Sequence, residues 1–306
     1  MTPLGATGIG SLAATCLYLT AAAAVVTAPG LVFPLTIFVP AAWALFADRV
    51  RPATALVAGG VPLFLGVFPG IGVGAPLYGV LFVCGIGMRL YAGKRRMALA
   101  VAIPALVVFS ATIAGMYAAS AREGLAMGQM VGRWVEDMMH SSRNAAVPLL
   151  AEGDLEQFES TLDMMRHRIA TLFPSIIAVG GALLAWLNLV VWARFRGDVT
   201  LRGFRVHDVM IAAFIITATL AVLPWSTPRI VGENALFVVC LVYLFQGLAV
   251  VAVFMESRAW PAVVRWAIYI LIFVQLYMVV IVAGIGLFDA WFDFRARIQR
   301  TEGDDR

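Results

Sequence analysis

An all-α, polytopic transmembrane helix bundle of about nine spans is the fold class this sequence predicts, and three observations carry it. The chain is 62% hydrophobic with only 13% charged residues, against about 25% charged in a soluble domain. Its apolar residues fall in long charge-free runs, and a run of about 20 residues crosses the ~30 Å hydrocarbon core as a helix. The Lys and Arg residues gather in short loops between those runs, as the positive-inside rule describes. That clustering also accounts for the net charge of +4: the basic residues mark membrane loops, and no nucleic-acid partner is expected.

Met1 to Ala47 carries no charge and is long enough for two spans. Ala28-Pro29-Gly30 divides it into spans near 10–28 and 31–47. A signal peptide would need a basic n-region, which is missing, so the first span is expected to be retained. Thr20, Ala24 and Ala28 recur on one face of it, and small residues at that spacing let helix backbones approach in lipid, making a candidate partner-helix face. Asp48-Arg49-Val50-Arg51 is a short basic loop. Pro52 to Met88 is again charge-free. Arg49 and Arg51 precede it, and Arg89, Lys94, Arg95 and Arg96 follow it. Both clusters belong on one side, so this run is expected to cross twice as short or broken helices. Broken backbone at membrane depth is tolerated where it faces protein or a watery cavity. Gly70, Gly72, Gly74 and Pro76 are therefore a candidate cavity lining. They are not read as a phosphate loop, since no strand precedes them and no Lys-Ser/Thr follows.

Met97 to Ala121 is the fifth expected span. Arg122 to Arg168 is the one long polar segment, with five Arg against eight Asp/Glu. Its apolar residues keep helical spacing, first Leu125, Met127, Met130, Val131, Trp134 and Met138, then Leu155, Phe158, Leu162 and Met165. That pattern predicts two amphipathic helices joined around 144–153, lying on the membrane surface or capping the bundle. Asp137-Met138-Met139-His140 is echoed by Asp163-Met164-Met165-Arg166-His167. Methionine and histidine suit copper, but methionines on an apolar face explain the echo without a metal, and none is assigned. Cys16, Cys84 and Cys240 lie in separate apolar runs without metal spacing and read as small buried hydrophobes. No cofactor is expected.

Ile169 to Ala193 is the sixth span, with Asn188 near its end. Arg194, Arg196, Arg202 and Arg205 follow in a basic loop, and Val209 to Pro228 is the seventh span. The eighth, Asn234 to Met255, is a charge-free run of 22 residues with Gln246 near its middle. The ninth, Trp266 to Phe288, carries Gln275. Antiparallel neighbours put these two amides at similar depth, and an amide in hydrocarbon needs a protein partner, a cavity or a ligand. Asn188, Gln246 and Gln275 are thus a candidate polar cavity. Asp289 to Arg297 reads as an aromatic and charged belt at a membrane face. The arginine bias places the N-terminus in the cytoplasm and 122–168 outside. Nine crossings then put the C-terminus outside as well, in conflict with Arg295, Arg297, Arg300 and Arg306. Three regions result: 1–121, a membrane bundle with broken Gly/Pro helices; 122–168, extramembrane helices; and 169–306, a membrane bundle with an interfacial tail.

Leu187-Asn188-Leu189, the core Tyr243-Leu244-Phe245-Gln246-Gly247-Leu248-Ala249, and the stretch Leu287-Phe288-Asp289-Ala290-Trp291-Phe292-Asp293-Phe294-Arg295 together resemble the YybS-like family. These are bacterial multi-span membrane proteins grouped as a domain of unknown function. The resemblance spans roughly 10–297 and implies a bacterial cytoplasmic (inner) membrane protein. The N-terminal half is similar to the substrate-binding subunits of energy-coupling-factor vitamin transporters, in its alanine-rich first helix and Gly/Pro-rich third and fourth.

The expected function is a small-molecule-binding or transport-related subunit. No charge interrupts the spans as read, so it would lack an energy source of its own. The alternative is a non-transporting scaffold or regulator of a membrane complex, in which the amides hold helices together. Partners would be the lipid bilayer and either another membrane protein or a small ligand. An enzyme is not expected: His140, His167 and His207 stand in loops or surface helices with no nucleophile beside them.

Overall fold

The computed structural model describes residues 8–32, 36–68, 74–92, 96–147, 154–196 and 204–298. The regular elements among them are all helical: α1 Gly8–Thr27, α2 Val39–Ala47, α3 Pro52–Gly60, α4 Ala75–Ala92, α5 Met97–Glu123, α6 Met127–Ala146, α7 Leu155–Arg196, α8 Val209–Ala221, α9 Ser226–Ser257, α10 Ala262–Val274 and α11 Leu276–Phe292. They form two compact units, Met1–Phe109 with Gly180–Phe204 and Ser110–Val179 with Arg205–Arg306, whose boundaries fall inside α5, inside α7 and in the loop before α8.

Among the described residues, length and composition make α4, α5, α7 and α9 candidate spans. The pair α10–α11 adds a fifth only if its two arms, bent by 106°, count as one broken span. The charge-free runs pointed to nine crossings, and local chemistry explains much of the difference. Pro52 starts α3 at its first turn, and Gly59-Gly60 loosens it into a 3₁₀ turn, Val61–Val67, that carries Pro62. Together these two pieces reach only ~28 Å. The run Trp266–Phe288 is not a straight helix, because Gln275 adopts an extended conformation (φ −101°, ψ 106°) and divides α10 from α11. The polar segment departs from expectation too. Its first helix, α6, forms as read, but its second is continuous with the sixth span in a single 42-residue α7, ~63 Å long. The stripe Leu155–Phe158–Leu162–Met165 runs into the apolar sequence from Ile169 with no helix-stopping residue between them.

In the first unit, aromatic side chains fix α1, α2, α3 and α4 together. Tyr18 stacks on Phe46, and its hydroxyl lies 2.6 Å from that of Tyr78. Tyr78 in turn donates to the Gly59 carbonyl, and the Trp43 indole donates to the Ala55 carbonyl. A side chain at Gly59 would fall on Phe82 and Trp43. In the second unit, α9 is the buried helix, packed on α8 and α11. A Cβ on Gly247 would fall on the Val282 carbonyl, and one on Gly286 on the Tyr243 carbonyl. The two backbones meet there directly, as small residues permit. Tyr243 also meets Phe214 of α8 edge to face.

The end of α11 returns to the loop that precedes α8: Arg205 pairs with Asp293. The Arg205 hydrogen bond holds the Asp293 carboxyl below the usual carboxylate range. The residue that opens the C-terminal tail is thus brought beside Arg205, where a straight ninth crossing would have separated the two.

Candidate functional site

Asn188 and Asn234 make the same unusual set of hydrogen bonds in different units. Proline removes an N–H from a helix and disturbs the ladder around it. At Pro40 the next N–H, Ala41, does not donate to the Ile37 carbonyl one turn back. It donates to Asn188 Oδ1 at 2.9 Å, and Asn188 Nδ2 donates to the Ile37 carbonyl at 2.9 Å. The second Nδ2 hydrogen goes to Leu184 in its own helix. Pro174 in α7 repeats the pattern. Ser175 N–H donates to Asn234 Oδ1 at 3.1 Å. Asn234 Nδ2 donates to the Thr171 carbonyl and, in its own helix, to Ile230. In both places an asparagine from another helix supplies the missing rung beside a proline. Asn188 also borders a cavity of about 10 Å³ with Pro40, Cys84, Met88, Pro104 and Gly181, room for about one water molecule.

Gln246 lies in the second unit, 2% exposed. Its Oε1 accepts from Val206 N–H at 3.0 Å, and its Nε2 donates to Asp289 Oδ2 at 3.0 Å. Arg295 donates to the same Oδ2 from Nε and Nη2, at 3.1 and 2.7 Å. Asp289 and Arg295 are both buried in the protein, an ion pair in a stretch that the sequence reading had taken as an interfacial belt. Asp289 Oδ1 and the Tyr243 hydroxyl are buried without a hydrogen-bond partner. Gln275 stands apart, half-buried at the α10–α11 break. Its carbonyl accepts from Met278 and Val279.

The remaining sequence candidates separate. Thr20 is exposed and bonds back to the Cys16 carbonyl, while Ala24 and Ala28 are half-buried. The buried face of α1 is instead Tyr18, Ala22, Val25 and Val26. Gly70 and Gly72 lie outside the described residues. Gly74 is buried, donates its N–H to the Val26 carbonyl at 2.7 Å, and leaves no room for a Cβ against α1. Pro76 is exposed in the first turn of α4. Among the described residues no group of three or more His, Cys, Asp or Glu is placed to hold a metal ion.

Sequence reasoning missed Asp48, which it read as part of a basic loop. Its Oδ1 accepts from Arg89 Nε at 3.0 Å and Arg196 Nη1 at 3.2 Å, and its Oδ2 from the Trp192 indole at 2.9 Å. Arg196 also lies over the Trp192 ring, 5.1 Å from its centroid. One carboxylate thus ties the ends of α2, α4 and α7 together. Its signal in the sequence is that it is the only acid before Glu123.

The profile of a family described as "Predicted membrane protein (DUF2232)" matches residues 16–290. No curated protein and no solved structure matches the chain.

Proposed function

We propose that this chain, which belongs to the DUF2232 family of predicted membrane proteins, is a non-transporting scaffold of a membrane complex, with α6 and the start of α7 as its partner-binding surface. The observation that carries this reading is the use made of the buried amides. Asn188 and Asn234 each commit both amide hydrogens and the oxygen to helix backbone, and Gln246 is held by Val206 and Asp289. A transport-related subunit of the energy-coupling-factor kind needs a pocket of about 300 Å³ or more, whereas the cavity beside Asn188 is about 10 Å³.

The surface follows from the length of α7, which exceeds the ~30 Å hydrocarbon core about twofold. Its first turns are tied to α6 by Arg143–Glu159 and Arg166–Glu136 ion pairs. Trp134, Met138, Met164 and Met165 remain exposed on these two helices, a composition suited to contact with another protein. Protein purified from native membranes should carry a stoichiometric partner chain in native mass spectrometry. W134S/M138S together with M164S/M165S should lose it. A stoichiometric small molecule in place of a partner would sink the scaffold reading.

The setting is a bacterial inner membrane with the N-terminus and the 194–207 loop cytoplasmic, supported by the arginine bias. In a background lacking Cys16, Cys84 and Cys240, cysteines at His207 and Arg297 should resist an impermeant thiol reagent in intact cells, and one at Ser142 should react. Labelling at 207 or 297 without labelling at 142 would invert this map.

A further inference from the structure

We propose that the Asp48-centred end of the first unit binds the phosphates of anionic phospholipid headgroups. Among the described residues of this unit Asp48 is the only acid, against six arginines: Arg49, Arg51, Arg89, Arg96, Arg194 and Arg196. Asp48 takes Arg89 and Arg196. It thereby gathers three basic segments that are distant in the chain and neutralises only one positive charge. Arg49, Arg51, Arg96 and Arg194 are exposed. Arg96 is held close by its N–H bond to the Tyr91 carbonyl near the end of α4.

Guanidinium groups bind phosphate oxygens in bidentate fashion, and basic clusters at the cytoplasmic ends of membrane helices attract anionic headgroups. Placement favours lipid over a soluble anion. Each arginine follows an apolar helix end within a turn or two: Ala47, Met88 and Ala193 are all buried, and the charges begin directly after them.

The test uses the full chain in phosphatidylcholine nanodiscs doped with phosphatidylglycerol, with retained lipids counted by native mass spectrometry. Wild type should retain phosphatidylglycerol over phosphatidylcholine by about ten-fold or more, and R49Q/R51Q/R194Q should lose most of that preference. R49K/R51K/R194K, which keeps the charge, should retain most of it and controls for folding. The proposal is overturned if R258Q/R265Q, arginines of the other unit, reduces the preference as much. It is also overturned if inorganic phosphate displaces the retained lipid at equimolar concentration, since the site would then read the free anion.

Discussion

Asp289→Ala is expected to destabilise the protein by about 3–5 kcal/mol, the usual cost of removing one member of a buried ion pair. Arg295 is 5% exposed, and its Nε and Nη2 both donate to the one oxygen, Asp289 Oδ2. Without that carboxylate the buried guanidinium loses the only carboxylate paired with it among the described residues, and Gln246 Nε2 loses its acceptor as well. Arg295→Leu should cost a similar amount from the other side, because Asp289 Oδ1 already lacks a hydrogen-bond partner. D289L/R295L should cost clearly less than the sum of the two single changes, since it removes both charges together. Unfolding in a common detergent, followed by helical circular dichroism against temperature or added sodium dodecyl sulfate, measures all three. Single variants within about 0.5 kcal/mol of wild type, the range of an ordinary surface change, would show that the pair is not buried.

Asn188→Leu should cost nearly as much by a different route. It takes the hydrogen-bond partner from the Ala41 N–H and the Ile37 carbonyl, at about 1–3 kcal/mol for each orphaned group. The proline explains why the rung is open, and this yields the sharper expectation. P40A/N188L lets α2 straighten and close its own Ala41-to-Ile37 bond, so it should be more stable than N188L alone. Asn234 and Pro174 should behave alike, with P174A/N234L recovering part of the loss in N234L. If neither proline replacement rescues its partner, the asparagines act by simple packing and the repair interpretation fails.

The membrane helix bundle was legible because composition and run length are properties of the whole chain, and the family match agrees with that class. Asn188 and Gln246 were legible as buried amides for the same reason: each interrupts an otherwise apolar run. What each amide binds was not legible. Gln246 was matched with Gln275 on the assumption of two straight antiparallel helices, and the break at Gln275 removes that premise. Asn234 passed as a run boundary, although its partner Pro174 was visible inside an apolar helix. A mid-helix proline announces an unpaired carbonyl, and the corresponding question is which distant amide serves it. Asp48 and Asp289 were hidden differently. Each stands at the end of an apolar run, where an acid normally meets water, and the arginines that pair with them are the distant Arg89 and Arg196 for Asp48 and the nearby Arg295 for Asp289.

The repaired rungs impose an order on biosynthesis. Asn188 lies 147 residues after Ala41, and Asn234 lies 59 residues after Ser175. At about 5–20 residues per second, the ribosome takes roughly 7–30 s to deliver Asn188 and roughly 3–12 s to deliver Asn234. Throughout that interval the earlier helix has a backbone donor and acceptor that its own turns do not satisfy. Lipid offers them nothing, so each of these helices must wait against water, the insertion machinery or another part of the nascent chain. The first unit therefore cannot close while α2 and α4 are being inserted, and its completion is timed by the arrival of the last turns of α7.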